Sequence, residues 1–316
     1  MGRAYDGRMQ ACLTVHPPEG AAIVRVLAPG GALRIGRGED CGLRVVHPSV
    51  SRLHAELHYR RGGWQLRDLG SKNGSYVEGQ RLHAEVELEL QHVTWLRFGD
   101  VYCEFSLLED DEAARAEAAR RARRTAATAH TARLEGVQKL DELLDASLRG
   151  VLELAQCERG FVLLDQRPAG AGPRFVVAAS QSLDPAALAE RVFSGSVGAV
   201  QRALARRRSV VVNDIGGESW LSSRASVAAA GLSALVCLPL HDGRQTLGAI
   251  YADRIRPGPP LTTLDQELLE AFSERAALWI AARRTSDLLA ERAVDVPAKG
   301  MPDWGRIVAA HPPEAP

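Results

Sequence analysis

The sequence lacks what would point to a membrane, a secreted scaffold or a polyanion. Aromatic residues make up only 5% of its 316 positions, and no stretch approaches the roughly 20 uninterrupted apolar residues that a bilayer crossing needs. Met1 to Gln10 is polar, without the apolar centre of a signal peptide, so a cytoplasmic location is expected. Cysteine is scarce. Cys12, Cys41, Cys103, Cys157 and Cys237 are odd in number and scattered, with no C-x-x-C pair, which argues against a disulfide framework or a zinc-thiolate site. An excess of either charge is missing too, with 39 basic and 39 acidic side chains and a formal net charge of zero. A general nucleic-acid binder would carry a basic surplus, so no nucleic-acid partner is expected. No G-x-x-x-x-G-K-[ST] loop, kinase motif set or nucleophile elbow occurs, and no enzymatic activity is expected.

What is present is an ordinary globular balance, 46% hydrophobic and 25% charged, long enough for two domains. From 11 to 108 short β-like runs are broken by Gly, Pro, Asn and Asp: 22–27, 33–35, 43–46, 55–59, 64–68, 76–77, 95–98 and 101–107. Such spacing without a helical period predicts an all-β sandwich. From 109 to 133 Ala, Arg and Glu dominate, with Asp111/Arg115 and Glu117/Arg121 at i,i+4, which predicts a solvated helical linker. The helix is expected to run on into Val137, Leu140, Leu144, Ser147, Val151 and Leu154, whose alternating steps of three and four form a seam. That seam fits either a helix lying on its own domain or a dimer coiled coil. Residues 134–290 mix strands (161–164, 175–179, 210–213, 234–240, 247–252) with helices (185–193, 199–206, 264–284), an α+β pattern. Thr263 and Gln266 suggest a capping box for the last helix. The stretch 291–316, rich in proline, is expected to be disordered.

Four strings stand out in the first domain: Arg34-Ile35-Gly36-Arg37, Pro48 through His54, Ser71-Lys72-Asn73-Gly74-Ser75 and Phe98-Gly99-Asp100. A phosphate dianion needs charged and hydroxyl donors converging from separate loops. Arg37 and Ser51 supply a guanidinium fork and a hydroxyl, Asn73 a donor and an acceptor, and Gly74 the freedom for a tight turn. In content and order the strings resemble the forkhead-associated (FHA) family of phosphothreonine-binding β-sandwiches. The resemblance implies that Arg37 and Ser51 hold phosphate, that Asn73 holds the ligand backbone, and that Gly36 and His54 support the loops. Arg52 and Lys72 are candidates for further phosphate or flanking contacts. Ser75 and Glu78 stand where the family often has Thr and Asn; the first predicts looser loop packing, the second an acid near an anion site. The alternation His54, Glu56, His58 raises a metal site as an alternative.

The second domain resembles the GAF family through Arg159 to Leu164, Val210 to Asp214, Gly231 to Leu240, Leu247 to Tyr251 and a long final helix. That resemblance implies a sheet flanked by helices that senses a small molecule or dimerises. Of the pattern found in cyclic-nucleotide-binding members only Asp265 is retained at the matching places Asp253-Arg254, Leu261 and Asp265-Gln266. Trp220 and Arg224 are candidates for a pocket lid and a ligand-pairing charge, or else for a loop anchor and a solvated side chain. Cys157 and Cys237 read as buried, inert thiols. Arg206-Arg207-Arg208 reads as a solvated helix end. The expected function is a signalling adaptor: the first domain docks on a phosphothreonine protein made by a Ser/Thr kinase, and the second senses a ligand or forms a homodimer. The alternatives are a transcription-regulator relative without its ATPase and DNA-binding parts, and a methionine sulfoxide reductase. Thr125, Thr128 and Thr131 in the linker are either self-ligands once phosphorylated or plain helix-surface threonines.

Overall fold

The computed structural model describes residues 9–166, 174–183, 197–213, 232–243 and 245–295. The helix expected at 185–193 and the stretch 296–316 lie outside them.

The first unit is a sandwich of two sheets. One sheet has the order β2-β1-β11-β10-β7-β8, built from β1 (Gln10–His16), β2 (Ile23–Leu27), β7 (Ser75–Val77), β8 (Gln80–Arg81), β10 (Val93–Phe98) and β11 (Val101–Leu108). The other has the order β4-β3-β5-β6-β9, from β3 (Ala32–Gly36), β4 (Leu43–Arg44), β5 (Ala55–Arg60), β6 (Gly63–Asp68) and β9 (Glu87–Glu89). Period-two alternation sends Leu13, Ile35, Leu57, Trp64, Leu66, Phe98 and Phe105 inward to a fully buried core. Each such side chain contributes about 1.5–3 kcal/mol by leaving water. The strand expected at 43–46 stops at Arg44: the Val45 amide still bonds the Gly36 carbonyl of β3 at 2.8 Å, but the chain then turns, the His47 amide reaching the Val45 carbonyl at 3.0 Å.

The linker departs from its expected form. Helix α1 (Asp110–Glu135) opens on a capping box between Glu109 and Glu112, and ends at Gly136 instead of running on. A separate helix α2 (Leu140–Ala155) follows. Nor is α1 wholly solvated, because Ala127 and Leu134 are buried and Arg123 pairs with Asp265. The expected seam lies against its own domain: Leu144, Ser147 and Val151 are buried, and Gly150 sits so close to the Phe272 ring that a Cβ there would clash at 2.5 Å.

The second unit is an antiparallel sheet of order β13-β12-β16-β15-β14, from β12 (Arg159–Asp165), β13 (Phe175–Gln181), β14 (Val210–Asn213), β15 (Ala234–His241) and β16 (Thr246–Arg254). Helices α2 and α4 (Thr263–Asp295) pack on one face through Leu148, Val151, Phe272 and Ile280. Helix α3 (Val197–Arg206) packs on the other through Ala199 and Ala203 against Tyr251 and Leu235. The central strands β15 and β16 are buried on both faces, which explains their continuous apolar runs. The cap of α4 sits one residue earlier than expected: Thr262 and Asp265 bond reciprocally, the Thr262 amide on the Asp265 carboxylate at 2.8 Å and the Asp265 amide on Thr262 Oγ1 at 3.3 Å. Helix α4 runs to Asp295, past the expected boundary at 290.

Candidate functional site

The strings singled out in the first domain meet at one end of the sandwich. There the β3–β4, β4–β5 and β6–β7 connections line a concavity of about 930 Å³ that includes Arg34, Arg37, Ser49, Ser51, Arg52, Lys72 and Asn73. Backbone bonds tie the loops together: the Arg37 amide reaches the Ser51 carbonyl and the Gly38 amide the Arg52 carbonyl, each at 2.9 Å. This approach requires Gly36, whose Cβ would run into the Arg52 carbonyl and into Cys41 Sγ at 2.9 Å.

His54 joins the second loop to the third. Its Nδ1 accepts the Ser51 amide at 3.0 Å, and its Nε2 lies 3.2 Å from the Gly74 carbonyl, a pair of partners that fixes the Nε2–H tautomer. Burial pushes the imidazole below its ordinary pKa, against the opposing pulls of the Gly74 carbonyl and Asp68, and keeps the ring neutral. With His54 held in this way, and no group of three or more His, Cys, Asp or Glu positioned for a metal among the described residues, the His54/Glu56/His58 reading gains no support. Glu56 instead pairs with Arg67 at 3.0 Å.

Asp68 anchors the third loop. It accepts the Ser71 amide at 2.8 Å, the Ser71 hydroxyl at 2.7 Å and the Ser75 hydroxyl at 2.6 Å. Burial opposes its charge, but these donors prevail and hold the carboxyl below its usual value. Ser75, expected to loosen the loop, is fully buried with its hydroxyl engaged. Glu78 does not face the concavity: its carboxylate accepts the Trp95 amide at 2.6 Å at the other end of β7.

The surface this scaffold presents is cationic with placed hydroxyl and amide groups. Arg37, Arg52 and Lys72 are exposed, and none has a carboxylate partner within ion-pair distance among the described residues. Ser51 Oγ accepts the Lys72 amide at 3.0 Å, so its own proton is left to donate outward. Asn73 has a partner inside the protein as well. One Nδ2–H donates to the Ser49 carbonyl at 2.8 Å, which leaves the second N–H and Oδ1 for a ligand backbone. Gly74 takes a φ of +81°, and its Cβ would meet Arg81 Nε at 2.7 Å. Ser49 and Asp68 are supports that the sequence reading did not single out. Ser49 Oγ accepts the Asp100 amide at 2.8 Å and lies 2.7 Å from His47 Nδ1. Glu39 and Asp40 also line the concavity and bring negative charge to its rim.

In the second domain Trp220 and Arg224 fall outside the described residues. The remaining candidates there have structural partners. Asp253 is fully buried, pairs with Arg159 through both oxygens and accepts the Tyr251 hydroxyl at 2.7 Å. Asp265 caps α4 and pairs with Arg123 at 2.9 Å, so the one retained residue of the cyclic-nucleotide pattern is already engaged. Burial pushes the thiol of Cys157 up to about 12, Arg254 opposing and Asp253 and Glu158 reinforcing, and burial alone pushes that of Cys237 up to about 12. Arg206, Arg207 and Arg208 are exposed at the end of α3. The linker threonines are all inside α1, each hydroxyl donating to the carbonyl four residues back, Thr131 to Ala127 at 2.9 Å.

Comparison with known proteins gives two family matches. Residues 33–99 match the FHA domain and residues 139–280 the GAF domain. A curated relative, the ABC transporter ATP-binding/permease protein Rv1747 of Mycobacterium tuberculosis, is 38% identical over 58 residues, 18% of this chain. The match spans only 7% of that relative's length. Among solved structures, the Mycobacterium tuberculosis Rv1747 FHA-1 domain is similar at 29% identity, covering 31% of this chain and 97% of that one, with a TM-score of 0.27. An FHA domain from a study of phosphothreonine-dependent FHA interactions is similar at 27% identity, covering 30% and 95%, with a TM-score of 0.27.

Proposed function

We propose that this chain, which carries an FHA domain followed by a GAF domain, is a cytoplasmic signalling adaptor that docks on a phosphothreonine protein through the concavity at the FHA loops. The observation that carries this reading is the set of three exposed cations, Arg37, Arg52 and Lys72, that line one concavity beside the outward-donating Ser51 hydroxyl and have no carboxylate within ion-pair distance among the described residues. Unneutralised guanidinium and ammonium groups around a free donor suit a dianion, because charge-assisted bonds are about twice as strong as neutral ones. Arg37 and Ser51 bind the phosphate, Arg52 and Lys72 add charge from the flanks, and Asn73 Oδ1 takes a backbone N–H of the peptide. Gly36, His54 and Gly74 hold the loops in place.

The phosphothreonine is supplied in trans by a partner and its Ser/Thr kinase. The linker threonines are less suited to the role, since each is part of a continuous helix whose hydroxyls are bonded to its own carbonyls. The GAF domain senses a small ligand or dimerises. No reaction is assigned to it: the burial of Cys157 and Cys237 weighs against thiol chemistry. Titration of the full chain with phosphothreonine, phosphoserine and unmodified peptides tests the docking role. Selective binding to phosphothreonine supports it, and equal binding to all three removes it.

A further inference from the structure

The β1–β2 connection leaves the sandwich and seats on the GAF sheet. Gly20 donates its amide to the Val211 carbonyl at 3.1 Å, and Val211 lies on β14, the edge strand of that sheet. Ala22 is gripped from both sides: its amide reaches the Leu261 carbonyl at 2.8 Å, and its own carbonyl accepts the Thr263 amide at 2.8 Å. Between these anchors Ala21 is 5% exposed and belongs to the GAF core, not to the core of the sandwich it comes from. Two ion pairs flank the seat, Glu19 with Arg202 at 3.7 Å and, from the linker helix, Arg123 with Asp265 at 2.9 Å.

Asn213 connects this seat to the end of β14. The side chain is 7% exposed, and it closes a ring with Leu261: Nδ2 donates to the Leu261 carbonyl at 3.0 Å and Oδ1 accepts the Leu261 amide at 2.8 Å. One carbonyl, that of Leu261, therefore takes both the Asn213 amide and the Ala22 amide. It joins the last residue of β14 to the hairpin of the other domain.

We propose that the Glu19–Ala22 tip is a clamp between the two domains, controlled from the GAF side through Asn213. A shift at the end of β14 withdraws Asn213, frees Leu261 to move and lets the hairpin go. The joint suits such a switch because it rests on a few hydrogen bonds, one small buried side chain and two ion pairs, which a ligand's modest preference for one state can offset. Its placement gives the switch an output. The end of β1 pairs His16 with Tyr102, beside the Gly99–Asp100 turn, and the Asp100 amide holds Ser49 Oγ at the rim of the concavity. The hairpin thus projects from the same end of the sandwich as the phosphate-facing loops. A closed clamp fixes the direction in which those loops face relative to the GAF domain, and an open one releases it. The clamp also reaches the edge strand β14, where the Gly20 amide satisfies the Val211 carbonyl.

Hydrogen exchange on the full chain, wild type against Asn213→Ala and Arg123→Ala, tests the proposal. In the wild type the Gly20, Ala22 and Thr263 amides should be protected. Asn213→Ala should speed exchange at Gly20 and Ala22 by about fivefold or more, the factor carried by one hydrogen bond, while the amides of Leu13, Ile35 and Phe105 in the FHA core stay unchanged. Arg123→Ala, which removes no backbone partner, should loosen the same amides and enlarge the molecule in small-angle scattering. Wild-type hairpin amides exchanging at open-loop rates would overturn the clamp. Wild-type protection at Gly20 and Ala22 in folded Asn213→Ala would overturn control through Asn213, and in folded Arg123→Ala it would overturn the part given to the Arg123–Asp265 pair in holding the clamp.

Discussion

Ser51 Oγ accepts the Lys72 backbone amide at 3.0 Å, so one hydroxyl spans two loops and still has its proton to give. Ser51→Ala removes both roles at once. Affinity for a phosphothreonine peptide should fall by about 1.5–3 kcal/mol, the range for a bond to a charged group, and stability by about 1 kcal/mol for the lost loop tie. Peptide titration and urea unfolding of the same variant measure the two effects separately.

The neutral state of His54 gives the fold a pH dependence. Its pKa is depressed by burial, so the unfolded chain binds the proton more readily than the folded one. Stability from this group is full above the unfolded value of about 6.5 and is lost as pH falls from there toward the folded value. Asp68, also depressed, adds a second loss at lower pH, as the solution falls through the carboxylate range. Urea midpoints measured from pH 8 to pH 5 should decline below about 6.5. In His54→Gln the midpoint should be lower throughout and the decline near that pH absent.

Arg159 neutralises the fully buried Asp253. Arg159→Ala leaves that carboxylate uncompensated except for the Tyr251 hydroxyl, and should destabilise the GAF unit by about 3–5 kcal/mol. Calorimetry of the full chain should show the loss. The double variant Arg159→Met with Asp253→Leu should recover much of it, since removing both charges removes the penalty.

Thiols held at about 12 are protonated at neutral pH. Iodoacetamide applied to the native protein at pH 7.5 should leave Cys157 and Cys237 unmodified, with full labelling only after unfolding. Rapid native labelling of both would reopen the reductase reading.

The parts of this molecule that are local in sequence could be read from it. Strand alternation set the sandwich, and three of the four strings carried Arg37, Ser51, Lys72 and Asn73 to one concavity because each of these residues lies in a connection between strands. Short-range helical signals were less exact: Gly136 ends α1 where periodicity alone ran on, and the cap of α4 falls on Thr262 with Asp265. What could not be read depends on distant partners. That Asn73 would give one Nδ2–H to Ser49, that Glu78 would turn to Trp95, and that Asp253 would be buried with Arg159 are choices made by tertiary packing. The seating of Ala21 in the core of the other domain is of the same kind. A Pro-Pro-Glu-Gly-Ala-Ala turn has no periodicity to announce it.

The most direct measurement of the docking role is the binding of a degenerate phosphothreonine peptide library to the full chain, wild type against Arg37→Ala, with phosphoserine and unmodified libraries as controls. Arg37 is exposed and bonds to the second loop only through its backbone amide, so the substitution should leave the melting temperature in place. The account predicts selective capture of phosphothreonine peptides by the wild type and loss of most of it, about tenfold or more, in the variant. A folded wild-type protein that captures no phosphothreonine peptide, or a variant that captures them equally well, would contradict it.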